Sequence, residues 1–180
     1  MTINWSQEIY TKAYRFSAEA HKDQMFPGTN LPYIMHVSFV CMEIIVCLAH
    51  DKEVNGDLAI QCALLHDVIE DTEATYEQVK EEFGIKVADG VLALTKNKSL
   101  KKEFQMNDSL ERIQKQPKEV WMVKLADRIT NMAPPPHYWD MKKKKCYQLE
   151  ALEIHKILSE ASNYLTERLF RKINEYEMYF

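Results

Sequence analysis

Hydrophobic and polar positions recur along most of the chain with the period of an α-helix. Apolar side chains return at intervals of three and four residues, the spacing of one helical face. The pattern predicts helices at about residues 4–21, 33–49, 57–72, 75–84, 85–94, 106–114, 117–133, 141–159 and 161–176. No segment alternates convincingly with the period of a strand, and no repeat or interdomain linker is evident. We therefore expect an all-α helical bundle that forms a single domain over residues 1–180.

Residues at the predicted helix ends support these boundaries. Asn4 is followed three residues later by Gln7, which resembles a capping box, and Thr75 with Gln78 repeats the pattern. Asp57 is expected to cap the central helix. Pro134–Pro136 ends the helix before it, because proline lacks the backbone donor that a helix needs.

The central predicted helix carries four polar side chains inside an apolar segment. Viewed along the axis of a continuous helix, with the angular position of His66 set to zero, Glu70 lies at about 40°, Asp67 at about 100° and Asp71 at about 140°. One imidazole and three carboxylates would then share less than half of the circumference. Burying carboxylates together is unfavourable unless another charge compensates them. The sequence therefore predicts a bound metal cation.

Two further polar residues stand where apolar ones are expected. His36 lies near the start of the second predicted helix, and Asp127 interrupts a helix that otherwise has the pattern of core. Together with His66 and Asp67 they supply two imidazoles and two carboxylates, a full set of protein ligands for one divalent ion. Such a donor set suits Mn²⁺, Fe²⁺, Co²⁺ or Zn²⁺ and does not by itself select among them.

Composition limits the class of protein. The 180 residues are 46% hydrophobic, which suits one ordinary domain, and no apolar run reaches the roughly 18 residues of a membrane span. The net charge of −4 argues against general nucleic-acid binding. The N-terminal residues lack a secretion signal, and the four cysteines have neither disulfide-scaffold nor zinc-ribbon spacing. We expect a cytoplasmic protein that binds neither membrane nor nucleic acid.

The order of His36, the pair His66-Asp67 and then Asp127 resembles the HD phosphohydrolase superfamily. Longer segments are similar to the hydrolase domain of RelA/SpoT-type alarmone enzymes and to the single-domain small alarmone hydrolases. These segments are residues 20–24, 32–36, 66–72, 123–132 and 150–154. The resemblance covers about residues 13 to 170.

The resemblance implies an all-α HD-domain fold, a bound Mn²⁺ and hydrolysis of the 3′-diphosphate of guanosine tetra- or pentaphosphate, (p)ppGpp, with release of pyrophosphate. The metal ligands that it implies are His36, His66, Asp67 and Asp127. Glu70 and Asp71 would position and activate water, and Asn131 would lie near the nucleotide sugar.

The chain departs from the family in the segment that binds the base. Alarmone hydrolases usually carry an Arg-Lys pair that packs on guanine, whereas this chain has Met25-Phe26 in that segment. Cation stacking is lost, although an aromatic or thioether side chain can still pack against a base. The residues from Pro134 to Trp139 also differ, and form either a wall of the pocket or a contact with neighbouring helices. The identity of the recognised nucleotide therefore does not follow from the resemblance.

Several charged and aromatic groups have two interpretations. Lys124 and Arg128 flank Asp127 and either contact phosphate or pair with nearby acids. The lysines of residues 96–102 and of residues 142–145 are interpreted as solvated, with attraction of an anionic nucleotide as the alternative. The aromatic C-terminal residues form core or a homodimer contact.

The leading functional prediction is a metal-dependent hydrolase of phosphorylated nucleotides, specifically a (p)ppGpp 3′-pyrophosphohydrolase acting on a guanosine nucleotide. The first alternative is an HD-type nucleotide phosphomonoesterase. The second is a metal-stabilised nucleotide-binding module without turnover.

Overall fold

The computed structural model describes residues 4–180, and helices form in every region where they are predicted. Residues 1–3, at the edge of the predicted domain and part of the N-terminal segment examined for a signal, lie outside the described residues. The helices are α1 (Gln7–Ala20), α2 (Ile34–His50), α3 (Gly56–Leu65), α4 (Val68–Asp71), α5 (Tyr76–Phe83), α6 (Ile85–Leu94), α7 (Lys102–Gln114), α8 (Lys118–Asn131), α9 (Met141–Leu158) and α10 (Asn163–Glu175). Short 3₁₀ turns follow α9 and α10. The described residues contain no strand, so the all-α prediction is confirmed.

The residues that cap the N-termini of α1 and α3 differ from the predicted ones. Ser6 caps α1, where Asn4 was predicted, because its hydroxyl accepts from the backbone of the first turn at 3.3 Å. Asn55 caps α3, where Asp57 was predicted, and its side chain accepts from Leu58 N at 3.1 Å. Asp57 instead accepts from Ser6 N at 2.7 Å. This bond ties the start of α1 to the start of α3.

The ends of α5 follow the sequence pattern, while α7 is longer than predicted. Thr75 and Gln78 form a complete capping box, and Gly84 ends α5 with φ of 86°, a conformation that only glycine adopts without strain. Helix α7 begins at Lys102 and not at Met106. Its first turn is mostly polar, and its one aromatic residue, Phe104, is exposed, so the turn carries no apolar period of a buried face.

Helix α3 is the centre of the core. It packs against α1, α2, α6 and α8, and its side chains from Leu58 to Leu65 are almost all buried. Helices α2 and α8 also contact each other. Helices α2 and α8, which carry His36 and Asp127, therefore meet at α3, and His66 directly follows its last residue.

The C-terminal helices cover the outer side of α8. Helix α10 packs on α8 and α9, and Arg168 of α10 forms a two-pronged ion pair with Glu43 of α2. Tyr176 is only 1% exposed and contacts Tyr147. Part of the aromatic C-terminal segment is thus core. The predicted homodimer stays a prediction.

None of the helices within residues 4–180 is long and apolar enough to cross a membrane. All four cysteines are free thiols. Cys41, Cys47 and Cys62 are buried, and burial raises the pKa of each of these thiols to about 12. Cys146, on α9, is exposed.

This burial predicts how the thiols react. In the folded protein a disulfide reagent such as DTNB should modify one thiol per chain quickly, and it should modify all four after denaturation, because a buried neutral thiol does not attack. Cys146→Ser is the control and should remove the fast reaction. Fast reaction of a second thiol in the native protein would contradict the packing of α2 and α3.

Gly90 of α6 allows a close approach between helices. A Cβ atom at this position would lie 2.9 Å from both Cys62 Sγ and Val120 Cγ2. Alanine favours a helix by about 1 kcal/mol over glycine, but overpacking a core costs about 1–3 kcal/mol. Gly90→Ala should therefore lower the free energy of unfolding, as measured by urea denaturation. Lys86→Ala, on an exposed part of α6, is the control. A Gly90→Ala protein more stable than wild type would contradict the contact.

Candidate functional site

The central helix breaks at the His66-Asp67 pair. Helix α3 ends at Leu65 and α4 begins at Val68, whereas the sequence pattern predicted one continuous helix to about Thr72. Asp67 has φ −106° and ψ −3°, in the sparsely populated bridge region where many active-site residues lie. The separation of about 100° between the two side chains on a continuous helix is therefore lost. The break brings Asp67 Oδ2 to within 2.8 Å of His66 Nε2.

The four predicted metal ligands converge at this break. One ligand atom each of His36, His66 and Asp67 lies within 4.8 Å of the other two. Asp127 Oδ1 lies 3.5 Å from His36 Nε2 and 4.0 Å from His66 Nε2. Both imidazoles are 3% exposed. Residues from α2, α8 and the junction of α3 with α4 thus form one buried cluster of two imidazoles and two carboxylates.

The hydrogen bonding of His66 tests whether a cation fits this cluster. Its Nδ1 lies 2.8 Å from the carbonyl oxygen of Ala63, which only accepts, so Nδ1 carries a proton. Its buried Nε2 has no hydrogen-bond partner, although Asp67 Oδ2 lies 2.8 Å away, because the two atoms are not aligned as donor and acceptor. A ring nitrogen this close to a carboxylate needs a positive charge, either its own proton or a cation that both atoms bind. The cluster has the composition and the unsatisfied atom of a divalent-metal site.

The charges of the cluster are strongly coupled. Burial alone would lower the pKa of His66, but the Asp67 and Asp127 carboxylates outweigh burial and raise it. Burial would likewise raise the pKa of Asp127, and Lys124 with the two imidazoles lowers it instead. Both carboxylates are therefore ionised, and a proton or a metal ion must balance them. Metal ligands bind in their deprotonated forms, so an ion would displace that proton.

Tyr33 supports Asp67 from the other side. Its hydroxyl donates to Asp67 Oδ2 at 2.6 Å, and burial with the Asp67 charge raises the pKa of this phenol, so it remains a donor. His21 is buried beside Tyr33, with its Nδ1 2.6 Å from Gln24 Oε1. Sequence reasoning gave Tyr33 no role, although it precedes His36 by three residues in the segment 32–36 that resembles the family.

Asp127 is held by its own helix. Asn131, one turn later, donates to Asp127 Oδ1, and Lys124 Nζ lies 3.2 Å from Asp127 Oδ2. Arg128 is buried elsewhere, with its guanidinium 4.2 Å from the centre of the Tyr147 ring and 3.5 Å from Glu150 Oε2. Lys124 and Asn131 therefore border the cluster, while Arg128 lies outside the cavity that contains Asp127.

A small cavity of about 120 Å³ joins the cluster to the two predicted catalytic acids. Glu70 and Asp71, on α4, line it together with Asp67 and Asp127. Partial burial, with the nearby Asp67 and Glu70 charges, raises the pKa of Asp71. The cavity thus places two further carboxylate residues beside the metal-ligand cluster.

Lys96 also lines this cavity, and although its side chain is exposed, as interpreted from the sequence, its ammonium pairs with Glu70. Its Nζ lies 2.9 Å from Glu70 Oε1. The two residues are 26 positions apart, Glu70 on α4 and Lys96 in the loop that follows α6. No local pattern in the sequence could have connected them.

A second cavity, of about 410 Å³, shares Tyr33 and Asn131 with the first. Its walls are mainly aromatic and proline side chains, with Thr29, Thr130 and Asn131 as polar members; the former are Phe26, Pro134, Pro135, Pro136, His137, Trp139, Tyr147 and Tyr176. The Phe26 ring stacks 5.7 Å from the His36 ring. Tyr138 is 61% exposed and Met25 is 53% exposed. The volume and the apolar walls suit a small organic ligand such as a nucleoside.

A larger groove, of about 980 Å³, lies between α1 and α5 and reaches Asp71 from another side. Two of its lysines are already paired, Lys12 with Glu82 at 3.0 Å and Lys22 with Glu19 at 2.8 Å. These pairs are exposed to solvent and do not converge on one point. The groove lacks Tyr33 and Asn131, the polar residues that line both smaller cavities.

Comparison with known proteins agrees with this geometry. A solved structure described as a metazoan ortholog of SpoT that hydrolyses ppGpp superposes with a TM-score of 0.81 at 25% identity, over 95% of this chain and 97% of that one. The guanosine-3′,5′-bis(diphosphate) 3′-pyrophosphohydrolase MESH1 of Danio rerio is 30% identical over 91% of this chain and 92% of its own length.

A longer relative shares the same region. The guanosine-3′,5′-bis(diphosphate) 3′-pyrophosphohydrolase of Aquifex aeolicus is 33% identical over 82% of this chain, which spans only 20% of that protein. The HD domain family matches residues 13–161, a stretch that contains all four residues of the metal-ligand cluster. The chain belongs to the HD domain family.

Proposed function

We propose that this chain is a metal-dependent hydrolase that removes the 3′-diphosphate of guanosine 3′,5′-bis(diphosphate) and releases pyrophosphate. The observation that carries the proposal is one continuous site, in which a buried cluster of two imidazoles and two carboxylates meets two further acids and opens beside an aromatic cavity. The relatives from Danio rerio and Aquifex aeolicus carry the name of this activity, and the first matches over nearly its whole length.

His36, His66, Asp67 and Asp127 would hold the metal, and we propose Mn²⁺ on the resemblance to alarmone hydrolases. When bound, such an ion supplies a Lewis acid for a phosphoryl oxygen and lowers the pKa of a coordinated water. The protein contributes the fixed donors around it. Tyr33 holds the Asp67 carboxylate, and the Ala63 carbonyl holds the His66 ring with Nε2 facing the cluster.

Glu70 and Asp71 are the groups that would handle the water. A carboxylate within hydrogen-bond reach of a nucleophilic water orients it and accepts its proton. The water oxygen bonds to phosphorus, the bond from phosphorus to the 3′-oxygen breaks, and the leaving oxygen takes a proton. Pyrophosphate and GDP are the products.

The aromatic cavity would take the nucleoside. Phe26 and Trp139 offer ring faces to a purine, which replaces the cation stacking of the family's Arg-Lys pair by aromatic stacking. Asn131, at the junction of the two cavities, would face the sugar, and Lys124, which lines the small cavity, would contact the phosphates. Arg128 is a less suitable contact because its guanidinium packs on Tyr147.

The departure at Met25-Phe26 favours a second candidate function, an HD-type nucleotide phosphomonoesterase. Stacking on aromatic rings favours no one base, so the rings that replace the family's Arg-Lys pair do not select guanine by themselves. Such an enzyme would release orthophosphate from a mononucleotide. A binding module without turnover is the third candidate, and the acids Glu70 and Asp71 beside the cluster argue against it.

Products and a single substitution test the reaction. With Mn²⁺ and guanosine tetraphosphate, the wild type should yield GDP and pyrophosphate on anion exchange. Glu70→Ala should slow the reaction by about 100-fold or more, the contribution typical of a positioned acid or base. Glu73→Ala, an exposed acid just beyond α4, is the matched control and should retain the wild-type rate. Orthophosphate from mononucleotides would support the phosphomonoesterase, and no turnover across a nucleotide panel would contradict both enzymes.

Removing a ligand tests the metal site. Asp127→Asn should weaken Mn²⁺ binding, measured by isothermal titration calorimetry, by about 10-fold or more, because metal sites lose at least that when a supporting group is removed. Activity should fall together with metal binding. Asp127→Ala should do the same and also lower the melting temperature, since it leaves buried Lys124 without its carboxylate. Undiminished Mn²⁺ affinity in a folded Asp127→Asn protein would exclude Asp127 as a ligand.

A further inference from the structure

Lys96 holds both oxygens of the Glu70 carboxylate. Its backbone N–H donates to Oε2 at 2.8 Å, and its ammonium donates to Oε1 at 2.9 Å. Glu70 is 11% exposed at its side chain and Lys96 is 44% exposed. A carboxylate gripped by two donors of one residue keeps a single rotamer, whereas a free glutamate samples several.

The segment that carries Lys96 is itself anchored. Thr95 donates from its hydroxyl to Val91 O at 2.9 Å, and the Thr95 carbonyl accepts from Arg112 of α7 at 2.7 Å. Lys98 Nζ donates to the Glu70 carbonyl at 2.5 Å. The backbone N–H of Lys96 therefore has a fixed position relative to α6 and α7, and the contact with Glu70 transmits that position to the one-turn helix α4.

The ammonium of Lys96 remains charged in this setting. Burial lowers the pKa of Lys96, but the charge and hydrogen bond of Glu70 outweigh burial and raise it. Ion pairs on a fully exposed surface contribute little because water screens them. This pair lies at the wall of the small cavity, where Glu70 is mostly shielded from solvent, so the attraction is screened less.

We propose that Lys96 is a positioning residue for the hydrolysis, which holds the Glu70 carboxylate at the cavity wall through its backbone amide and its ammonium. The effect on rate rests on the function proposed above, while the two-point contact is a property of the folded chain without metal or substrate. Lys96 acts through Glu70. Its substitution should therefore change the rate of the bound complex and leave the affinity for nucleotide unchanged.

Kinetics of matched variants test this role. Lys96→Met should lower kcat roughly ten- to a hundredfold, as expected when a catalytic group is misplaced by about 1 Å, and should leave KM unchanged. Lys96→Arg should restore most of kcat, because a guanidinium can donate to the same carboxylate. Lys101→Met, an exposed lysine of the same segment, is the control and should behave as wild type.

A double substitution separates positioning from direct contact with phosphate. In a Glu70→Ala background, Lys96→Met should have no further effect, since the group through which it acts is gone. A rise in KM with kcat unchanged would overturn the proposal in favour of a phosphate contact. A full additional loss of kcat in the Glu70→Ala background would overturn it as well.

The contact itself is measured in the metal-free protein by ¹⁵N–¹H correlation spectra. Glu70→Ala should move the Lys96 amide proton upfield, because the hydrogen bond to a carboxylate is lost, while Glu73→Ala should leave it in place. The Mn²⁺ affinity of Lys96→Met should equal that of wild type, since Lys96 touches none of the proposed ligands. A Lys96 amide that Glu70→Ala does not move would overturn the proposal whatever the enzyme hydrolyses. If wild type leaves guanosine tetraphosphate intact, the proposed substrate is wrong, and the amide shift decides on the contact by itself.

Discussion

The site depends on compensating two ionised carboxylates that the fold buries beside two imidazoles. Asp67 and Asp127 lie in a cluster in which both histidines are almost fully buried, and each carboxylate also accepts from a neutral donor, Tyr33 or Asn131. Burial of like charges is costly, so the cluster requires a balancing positive charge. A proton on His66 or a divalent cation meets that need, and the free Nε2 of His66 favours a cation.

The packing around α3 converts this requirement into a site. Helices α2 and α8 both pack against α3 and against each other. This packing brings residues almost a hundred positions apart in the sequence into contact. The break after Leu65 then lets Asp67 turn toward the imidazoles and gives α4 a separate start. A continuous helix would have kept the two side chains of the pair on different faces. The site is therefore a product of helix packing and of one interrupted helix.

Two further features of this chain bear on its chemistry. Aromatic and proline side chains line the cavity beside the cluster, where Phe26 stacks on His36. On the opposite side of the cluster, Lys96 grips Glu70 through two donors. The aromatic cavity affects which nucleotide binds. The contact of Lys96 with Glu70 affects how firmly the proposed catalytic carboxylate is oriented. The two features lie at different ends of one site, whose cavities share Tyr33 and Asn131.

The sequence alone predicted the all-α fold, most helix bounds and the residues of the candidate site, since helical period, capping pairs and misplaced polar residues are local signals. Thr75 with Gln78, and His36 with Asp127, are examples. Tertiary structure decided the features that depend on distant partners. Two of these are the cap at Ser6, which follows from the contact between α1 and α3, and the turn at Asp67. The burial of Arg128 against Tyr147 and the contact of Lys96 with Glu70 are two more. The sequence around Lys96 does not show whether its ammonium contacts only water or also a carboxylate 26 residues away. Only the packing of the chain determines that contact.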